Sequence, residues 1–439
     1  MAKAILTPVE FERQSAALGY SFPMASTYES LFTPYPIGHR TAANRIVYQP
    51  MEGCDGEANG APSELTRAKY IGFAEAGPGV IWMEATAVCD EGKANPRQLR
   101  LTEETKSEFA RLVYDMKRIA REKCGIEPLL ILQLTHSGRQ SKPHGKPAQL
   151  VAYHNAIFEE HTVITDDQIV TDDYLDRLQD AFVDAAKLAA ECGFDGVDIK
   201  SCHGYLLGEL MSGYHRPGKY GGCYENRTRF LRETISRVRA TVPPEMLVCS
   251  RLSAYDGFPY PWGFGVREGG GITPDLTEIC RLVGELKAEG TDFIDITMGN
   301  PYVNPHVNRP FAKGGYTPEE EPLTGVHRML EGTVSIREQV PGIAIVASGV
   351  SYLGAVAPGV AAGYVESGKL DLVGFGRMTL AYPDFVRDLA AGKFQENKIC
   401  LACSQCTRLM RCGGTAGCVV RNPYYQEEYQ TMKKEGKIV

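Results

Sequence analysis

The chain has 439 residues, a net charge of −7 and a pI near 5.8, with 43% hydrophobic and 23% charged residues. This balance is typical of a soluble globular protein and argues against the basic surface that a nucleic-acid-binding protein needs. No apolar run approaches the roughly 20 residues of a membrane span. The N-terminus lacks the apolar core of an export signal, so we expect a cytoplasmic protein without a membrane partner.

One unit recurs from Asn44 to about Gly392: a short apolar run, a polar or glycine-rich stretch, then a helical pattern. Runs this apolar are typical of strands buried on both faces of a parallel sheet. The predicted strands are Arg45–Gln49, Val80–Val88, Leu129–Thr135, Gly196–Lys200, Leu247–Leu252, Phe293–Met298, Ile343–Ser348 and Leu372–Gly376.

Eight such units predict an α/β protein of the (β/α)₈ TIM-barrel class over residues 1–395, with a doubly wound open sheet as the alternative. Three long connections follow the third, fifth and sixth strands, at residues 138–171, 253–273 and 299–324. Loops after barrel strands form the active-site face, so we expect these segments to shape the site.

Five of the 13 cysteines crowd between Cys400 and Cys418, within a short C-terminal extension predicted over residues 396–439. Cys400, Cys403, Cys406 and Cys418 have the spacing of four thiolate ligands to an iron–sulfur cluster. A zinc knuckle or unliganded thiols are the alternatives, and Cys412 is a spare cysteine that leaves the third and fourth ligands open.

Polar residues and glycines also gather where predicted strands end. Lys200, His203 and Tyr205 follow the fourth strand, where the first two can donate to an oxyanion and the tyrosine can deliver a proton. Glycines close the seventh and eighth strands, and Arg377 follows the second of them. Such strand ends bind phosphate in many barrels, although two ordinary tight turns would look the same.

Taken together, these residues resemble the old yellow enzyme family of FMN oxidoreductases, and specifically its iron–sulfur branch. The resemblance runs from about Leu31 to Pro423. The matching stretches are Asn44–Met51 (NRIVYQPM), Glu84–Val88 (EATAV), Gln133–Arg139 (QLTHSGR), His203–Leu206 (HGYL), His215–Arg216, Tyr220–Gly222 (YGG), Glu225–Arg227 (ENR), Arg251–Ser253 (RLS) and Gly376–Arg377.

The resemblance implies positions for the flavin ring. Pro50 and Met51 would lie against the ring, with Ala85 near its pyrimidine end, and Gln133 would hydrogen-bond the pyrimidine. Arg251 would sit by N1 and O2, where a fixed cation favours the anionic reduced flavin.

The same resemblance implies that Gly349, Gly376 and Arg377 hold the FMN phosphate. It also implies an ene-reductase, in which hydride passes from reduced FMN to an enone, enoate or enoyl thioester. His203 and Lys200 would then stabilise the carbonyl oxygen, while Tyr205 protonates the neighbouring carbon.

Two residues depart from the family's usual pattern. Lys200 stands where many members have His or Asn, and it either meets an anionic substrate group or pairs with a carboxylate of the chain. Glu52 stands where simpler members have Thr or Cys, and it either lowers the flavin potential or points away.

Electron supply has two open routes. The chain ends soon after the cysteines, whereas longer iron–sulfur members continue into a nucleotide-binding region. We therefore expect a separate electron-donor protein or subunit, with direct reduction of FMN by NAD(P)H as the alternative.

An amine or methylated-compound dehydrogenase is the second functional hypothesis, and a non-catalytic electron-transfer subunit is a third. A lysine in the pocket opposes a cationic amine, and an intact Tyr205 and His203 oppose a non-catalytic role. His306, Arg309 and His327 are candidate substrate contacts. The oligomeric state stays open, a homo-oligomer included.

Overall fold

The computed structural model describes residues 7–160 and 162–438. The first six residues, part of the segment used to predict the absence of an export signal, lie outside that range. The strands are β1 (Tyr35–Ile37), β2 (Arg40–Ala42), β3 (Ile46–Tyr48), β4 (Val80–Ala87), β5 (Leu129–Thr135), β6 (Gly196–Ile199), β7 (Leu247–Ser253), β8 (Phe293–Thr297), β9 (Ala344–Ala347) and β10 (Leu372–Phe375).

Strands β3 to β10 form a closed barrel in chain order, in which β10 pairs with β3 and every neighbouring pair is parallel. The ends of each predicted strand agree with the observed ends to within one residue. The predicted TIM-barrel fold is therefore confirmed, and the open-sheet alternative is wrong. Strands such as β4 are buried along their whole length, which explains why they appear in the sequence as apolar runs.

Helices wrap the barrel and also form short turns in its loops. They are α1 (Pro8–Ala17), α2 (Glu64–Ala74), α3 (Lys106–Cys124), α4 (Ala156–Glu159), α5 (Asp172–Glu191), α6 (Leu206–Met211), α7 (Tyr224–Thr241), α8 (Thr277–Ala288), α9 (Pro305–Asn308), α10 (Pro322–Gln339), α11 (Ala357–Glu366), α12 (Arg377–Ala381), α13 (Phe385–Ala390), α14 (Gln405–Arg411) and α15 (Pro423–Lys434).

Helix α5 shows how local sequence sets an element. The Thr171 side chain caps its first turn by accepting from the amide of Tyr174. Its apolar residues recur every three or four positions, and those that are buried include Leu175, Leu178 and Phe182. The helix therefore covers the barrel with one face and presents charged residues to solvent.

A small antiparallel hairpin, β1–β2, was not predicted. Ile37 and Ala42 from this hairpin belong to a compact core that also contains Trp82 and Phe293, whose ring centroids are 5.1 Å apart. The amino end of the barrel is thus covered by residues from outside the repeating unit. Strands of three residues carry too little periodicity to stand out in a sequence.

The extension after residue 395 contains α14, α15 and the clustered cysteines. It builds a core of its own, in which Leu409 and Val419 pack with Tyr425, Tyr429 and Met432. The division of the chain at 395 and 396 stays a prediction. No helix within residues 7–160 and 162–438 is both long and apolar enough to cross a bilayer.

Candidate active site

A cavity of about 1130 Å³, its open mouth included, lies at the carboxyl ends of the barrel strands. This is the face on which barrel enzymes build their sites. All but one of the predicted catalytic and cofactor-binding residues line it: Pro50, Met51, Ala85, Lys200, His203, Tyr205, Arg251, Gly349, Gly376 and Arg377.

Gln133 is the exception. Its amide Nε2 donates to Asp198 Oδ2 over 2.6 Å, and the indole of Trp82 donates to the same carboxylate oxygen over 3.0 Å. The Gln133 side chain is therefore engaged inside the barrel and does not line the cavity. Its predicted hydrogen bond to a flavin pyrimidine stays a prediction.

One wall of the cavity contains a buried arginine that lies next to a buried carboxylate. Arg251 Nε lies 2.9 Å from Asp295 Oδ2, and Gln49 Nε2 donates to Asp295 Oδ1 over 3.1 Å. Burial raises the pKa of Asp295 to about 7, although the guanidinium of Arg251 acts against this shift. The carbonyl oxygen of the Gln49 side chain is buried and has no hydrogen-bond partner among the described residues.

Three guanidinium groups gather at another part of the cavity, on Arg309, Arg377 and Arg411. Arg377 Nη2 donates to the carbonyl of Pro310 over 2.7 Å, but Nη1 of Arg377 and of Arg309 are buried without a partner in the described chain. Burial and the two neighbouring arginines lower the pKa of Arg309 to about 10.

Arg411 is exposed and donates to the carbonyl of Pro301, whereas the Nη1 groups of Arg309 and Arg377, unpartnered among the described residues, fit an anionic group such as a phosphate. Gly349 lines the same region with a φ of 90°, a backbone conformation that favours glycine. Gly376 also lines it, at the start of helix α12. The residues present therefore fit the phosphate of FMN, as the resemblance implied.

The proton-transfer side of the cavity is formed after strand β6. Tyr205 is held by hydrogen bonds of its hydroxyl to Glu52 Oε2 at 3.1 Å and to the hydroxyl of Tyr302 at 3.2 Å. Lys200 Nζ lies 3.9 Å from the centroid of the Tyr205 ring. Glu52 thus points into the site, so the alternative that it points away is wrong.

His203 has a φ of 65°, which is unusual for a residue with a side chain and marks a position held by its surroundings. Its Nε2 lies 3.4 Å from the hydroxyl of Thr297. Burial lowers the pKa of His203 well below its usual value, and it also lowers the pKa of Lys200. A neutral imidazole can still donate one N–H to an oxygen in the cavity.

The four cysteines predicted as ligands line one smaller cavity of about 360 Å³. Arg377, Leu380 and Cys406 line both this cavity and the larger one, so the two adjoin. Ala402 and Ser404, between these cysteines, have φ of 47° and 58°, so this loop holds backbone conformations that residues with side chains rarely adopt.

Cys412 does not line the cysteine cavity. It packs instead against the small core of the extension, beside Leu409 and Val419. In the described part of the chain, no three Cys, His, Asp or Glu side chains converge to hold a single metal ion.

Comparison with known proteins identifies the chain. The sequence profile of the NADH:flavin oxidoreductase / NADH oxidase family matches residues 30–298. The chain belongs to this family. The family predicted from the sequence is confirmed, and with it a flavin-dependent oxidoreductase.

Curated relatives agree with this assignment. NADPH dehydrogenase from Bacillus subtilis is 30% identical over 367 residues, which cover 82% of this chain and 94% of the relative. NADPH dehydrogenase from Clostridium acetobutylicum is 31% identical over 273 residues, covering 61% of this chain and 74% of the relative.

Solved structures share the fold. The old yellow enzyme homologue from Zymomonas mobilis has a TM-score of 0.61 at 24% identity, with 82% of this chain and 92% of that chain covered. Histamine dehydrogenase from Rhizobium sp. 4-9 has a TM-score of 0.69 at 23% identity, with 91% and 53% covered. This chain spans about half the length of that structure.

The sequence did not predict every residue of the site. Tyr302 and Arg411 line the cavity and were not predicted, whereas Arg309 was one of three candidate contacts and does line it. The other two candidates do not: His306 contacts Tyr316, and His327 stacks on Tyr20. The position of Tyr302, soon after strand β8 and inside a long loop, is the signal that could have pointed to it.

Proposed function

We propose that the chain is an FMN-dependent ene-reductase that reduces a carbon–carbon double bond activated by a carbonyl, carboxylate or thioester. The observation that carries this proposal is the grouping of Tyr205, Lys200 and His203 along one side of the cavity that also holds Arg251, Arg309 and Arg377. Oxygen-binding donors and a proton donor thus share one chamber with a phosphate-binding end.

FMN would be held at its phosphate by Arg309, Arg377, Gly349 and Gly376, and when bound it supplies hydride chemistry. Arg251 lies beside Asp295 on the wall where the ring would rest, together with Pro50, Met51 and Ala85. Because the carboxylate of Asp295 partly neutralises the positive charge of Arg251, this wall stabilises negative charge on the ring less strongly than an unpaired arginine would.

The chain's own groups perform the remaining steps. His203 and, in its protonated form, Lys200 donate to the substrate's activating oxygen and stabilise the negative charge that develops there. Tyr205 delivers a proton to the carbon next to the carbonyl. Removal of one such oxyanion donor typically costs about 3 kcal/mol of barrier.

Cys400, Cys403, Cys406 and Cys418 would bind a [4Fe–4S] cluster, because their thiols line one cavity and Cys412 faces elsewhere. Shared lining residues bring this cavity against the arginine end of the larger one. A cluster bound by these cysteines would supply single-electron chemistry, and its electrons would come from a separate donor protein or subunit.

Anaerobic stopped-flow spectroscopy tests both halves of the reaction. The oxidised holoprotein is mixed with NADH, NADPH or trimethylamine to follow flavin reduction, and the photoreduced protein is mixed with 2-cyclohexenone or cinnamate. We expect the enone or the enoate to reoxidise the flavin. Fast stoichiometric reduction by either nicotinamide would overturn the external donor, and reduction of oxidised flavin by the amine alone would favour a dehydrogenase.

Tyr205→Phe serves as the mechanistic variant. We expect turnover to fall by roughly 10²- to 10⁴-fold, the usual contribution of a positioned acid. Tyr114→Phe makes the same change at a tyrosine with 61% exposure on helix α3, and it should react as the wild type does. Equal rates in the wild type, Tyr205→Phe and Tyr114→Phe would show that another group donates the proton.

A further inference from the structure

Glu52 contacts the tyrosine that the proposed function uses as a proton donor. Its Oε2 lies 3.1 Å from the Tyr205 hydroxyl, and its Oε1 accepts from Asn95 Nδ2 over 2.9 Å. The residue follows Met51 directly and lines the cavity. The Glu52 carboxyl is thus fixed on one side by Asn95 and on the other by Tyr205.

The Tyr205 hydroxyl carries one proton and has two oxygen neighbours, Glu52 and Tyr302. If Glu52 is ionised, the phenol proton points to the carboxylate, and the negative charge makes the phenol a weaker acid. If Glu52 is neutral, its own O–H can donate to the Tyr205 oxygen. The phenol proton is then free to point into the cavity.

We propose that Glu52 acts as a neutral acid that orients the Tyr205 hydroxyl and restores its proton after each turnover. This inference rests on the proposed ene-reductase function. The Tyr205 O–H bond breaks as the new C–H bond forms, and the phenolate then takes the proton of Glu52. The carboxylate regains a proton from water at the mouth of the cavity, and no electrons change hands in these steps.

Several groups face Glu52 and bear on its charge. Lys200 and Lys69 are cations that favour the carboxylate, as do the hydrogen bonds from Tyr205 and Asn95. Tyr302 and the Cys54 thiol are further titratable neighbours. Burial outweighs these effects and raises the pKa of Glu52. Because the neutral form is the active one, turnover should fall as the pH rises through that pKa.

The Glu52→Gln variant tests the inference in the FMN-loaded protein, since glutamine keeps the shape but cannot pass on a proton. Photoreduced protein is mixed with 2-cyclohexenone across a range of pH. We expect Glu52→Gln to slow turnover roughly 10²-fold and to flatten the pH profile, and Glu52→Asp to recover part of both. Glu57→Gln, at an exposed carboxylate on the same loop, should match the wild type.

An infrared titration provides a readout that does not depend on turnover. The wild type should show the C=O stretch of a protonated carboxylic acid that Glu52→Gln removes and Glu57→Gln retains. Absence of that band at the pH of turnover would overturn the inference, as would a Glu52→Gln variant with the wild-type rate and pH profile. If the wild type reduces neither 2-cyclohexenone nor cinnamate, the proposed function is wrong, and the infrared titration still decides the protonation state of Glu52.

Discussion

Ala416 donates its amide N–H to the carbonyl oxygen of Gly53 over 2.7 Å, which ties the cysteine extension to the loop that carries Met51 and Glu52. A second tie joins Ala312 to Ala402, where the amide N–H of the former donates to the carbonyl of the latter over 3.1 Å. The extension therefore contacts two loops that border the active-site cavity, and its folding should influence flavin binding.

Replacing single cysteines should distinguish the proposed cluster ligands from Cys412. We expect Cys406→Ser to lose most of its iron and, because that residue lines both cavities, to bind FMN more weakly. Cys412→Ser should keep the wild-type iron content, since Cys412 packs in the core of the extension. Iron and acid-labile sulfide analysis with an anaerobic visible spectrum measures this. Equal iron loss in both variants would contradict the assignment.

Arg377→Met should weaken FMN binding. A hydrogen bond between a charged donor and acceptor contributes about 1.5–3 kcal/mol, which corresponds to roughly 10- to 100-fold in Kd. Quenching of FMN fluorescence during titration of the apoprotein measures the affinity. Arg408→Met, at an exposed arginine of helix α14, is the matched control. Because Arg377 also donates to Pro310, Tm values of the apoproteins must be compared; unchanged affinity would refute the phosphate role.

Lys200→Met should reduce kcat/KM by roughly 100-fold, equivalent to about 3 kcal/mol, through loss of one donor to the substrate oxygen. The loss should be larger for cinnamate, which carries a full negative charge, than for 2-cyclohexenone. Steady-state assays with both substrates measure the difference. Lys187→Met changes an exposed lysine on helix α5 and should leave both rates unaltered. Identical losses for the two substrates would show that Lys200 does not select for charge.

The pH dependence of stability should report a buried ion cluster behind the site. Lys69 Nζ lies 3.0 Å from Asp55 and 2.6 Å from Glu84. Burial raises the pKa of Glu84 from 4.5 to about 7. Between these values the folded protein holds a proton that the unfolded chain has lost, so stability falls as the pH rises through this window.

Glu84→Gln removes that titration, and its Tm should decline less between pH 5 and about pH 7 than the Tm of the wild type. The free-energy difference is at most about 3 kcal/mol. Thermal unfolding across this range measures it, with Glu57→Gln as the exposed control. Parallel Tm curves for wild type and Glu84→Gln would show that the Glu84 carboxyl stays ionised in the folded protein.

The barrel was predictable because its strands are buried on both faces, so each reads as an apolar run such as Leu129–Thr135. The hairpin formed by Tyr35–Ile37 and Arg40–Ala42 was not, since three-residue strands show no periodicity. Most of the predicted catalytic and cofactor-binding residues do line the cavity, because residues at the carboxyl ends of parallel strands converge on one face of a barrel.

Sequence by itself determined the order of strands and helices, the family, and four cysteines with the spacing of cluster ligands. Only the tertiary structure decided which side chains meet: Glu52 with Tyr205, Gln133 with Asp198, and Cys412 with the core of the extension. Chain order and apolar patterning are local properties that a sequence displays directly. Contacts between residues that are far apart in the chain depend on how the strands close into a barrel and on which rotamer each side chain adopts.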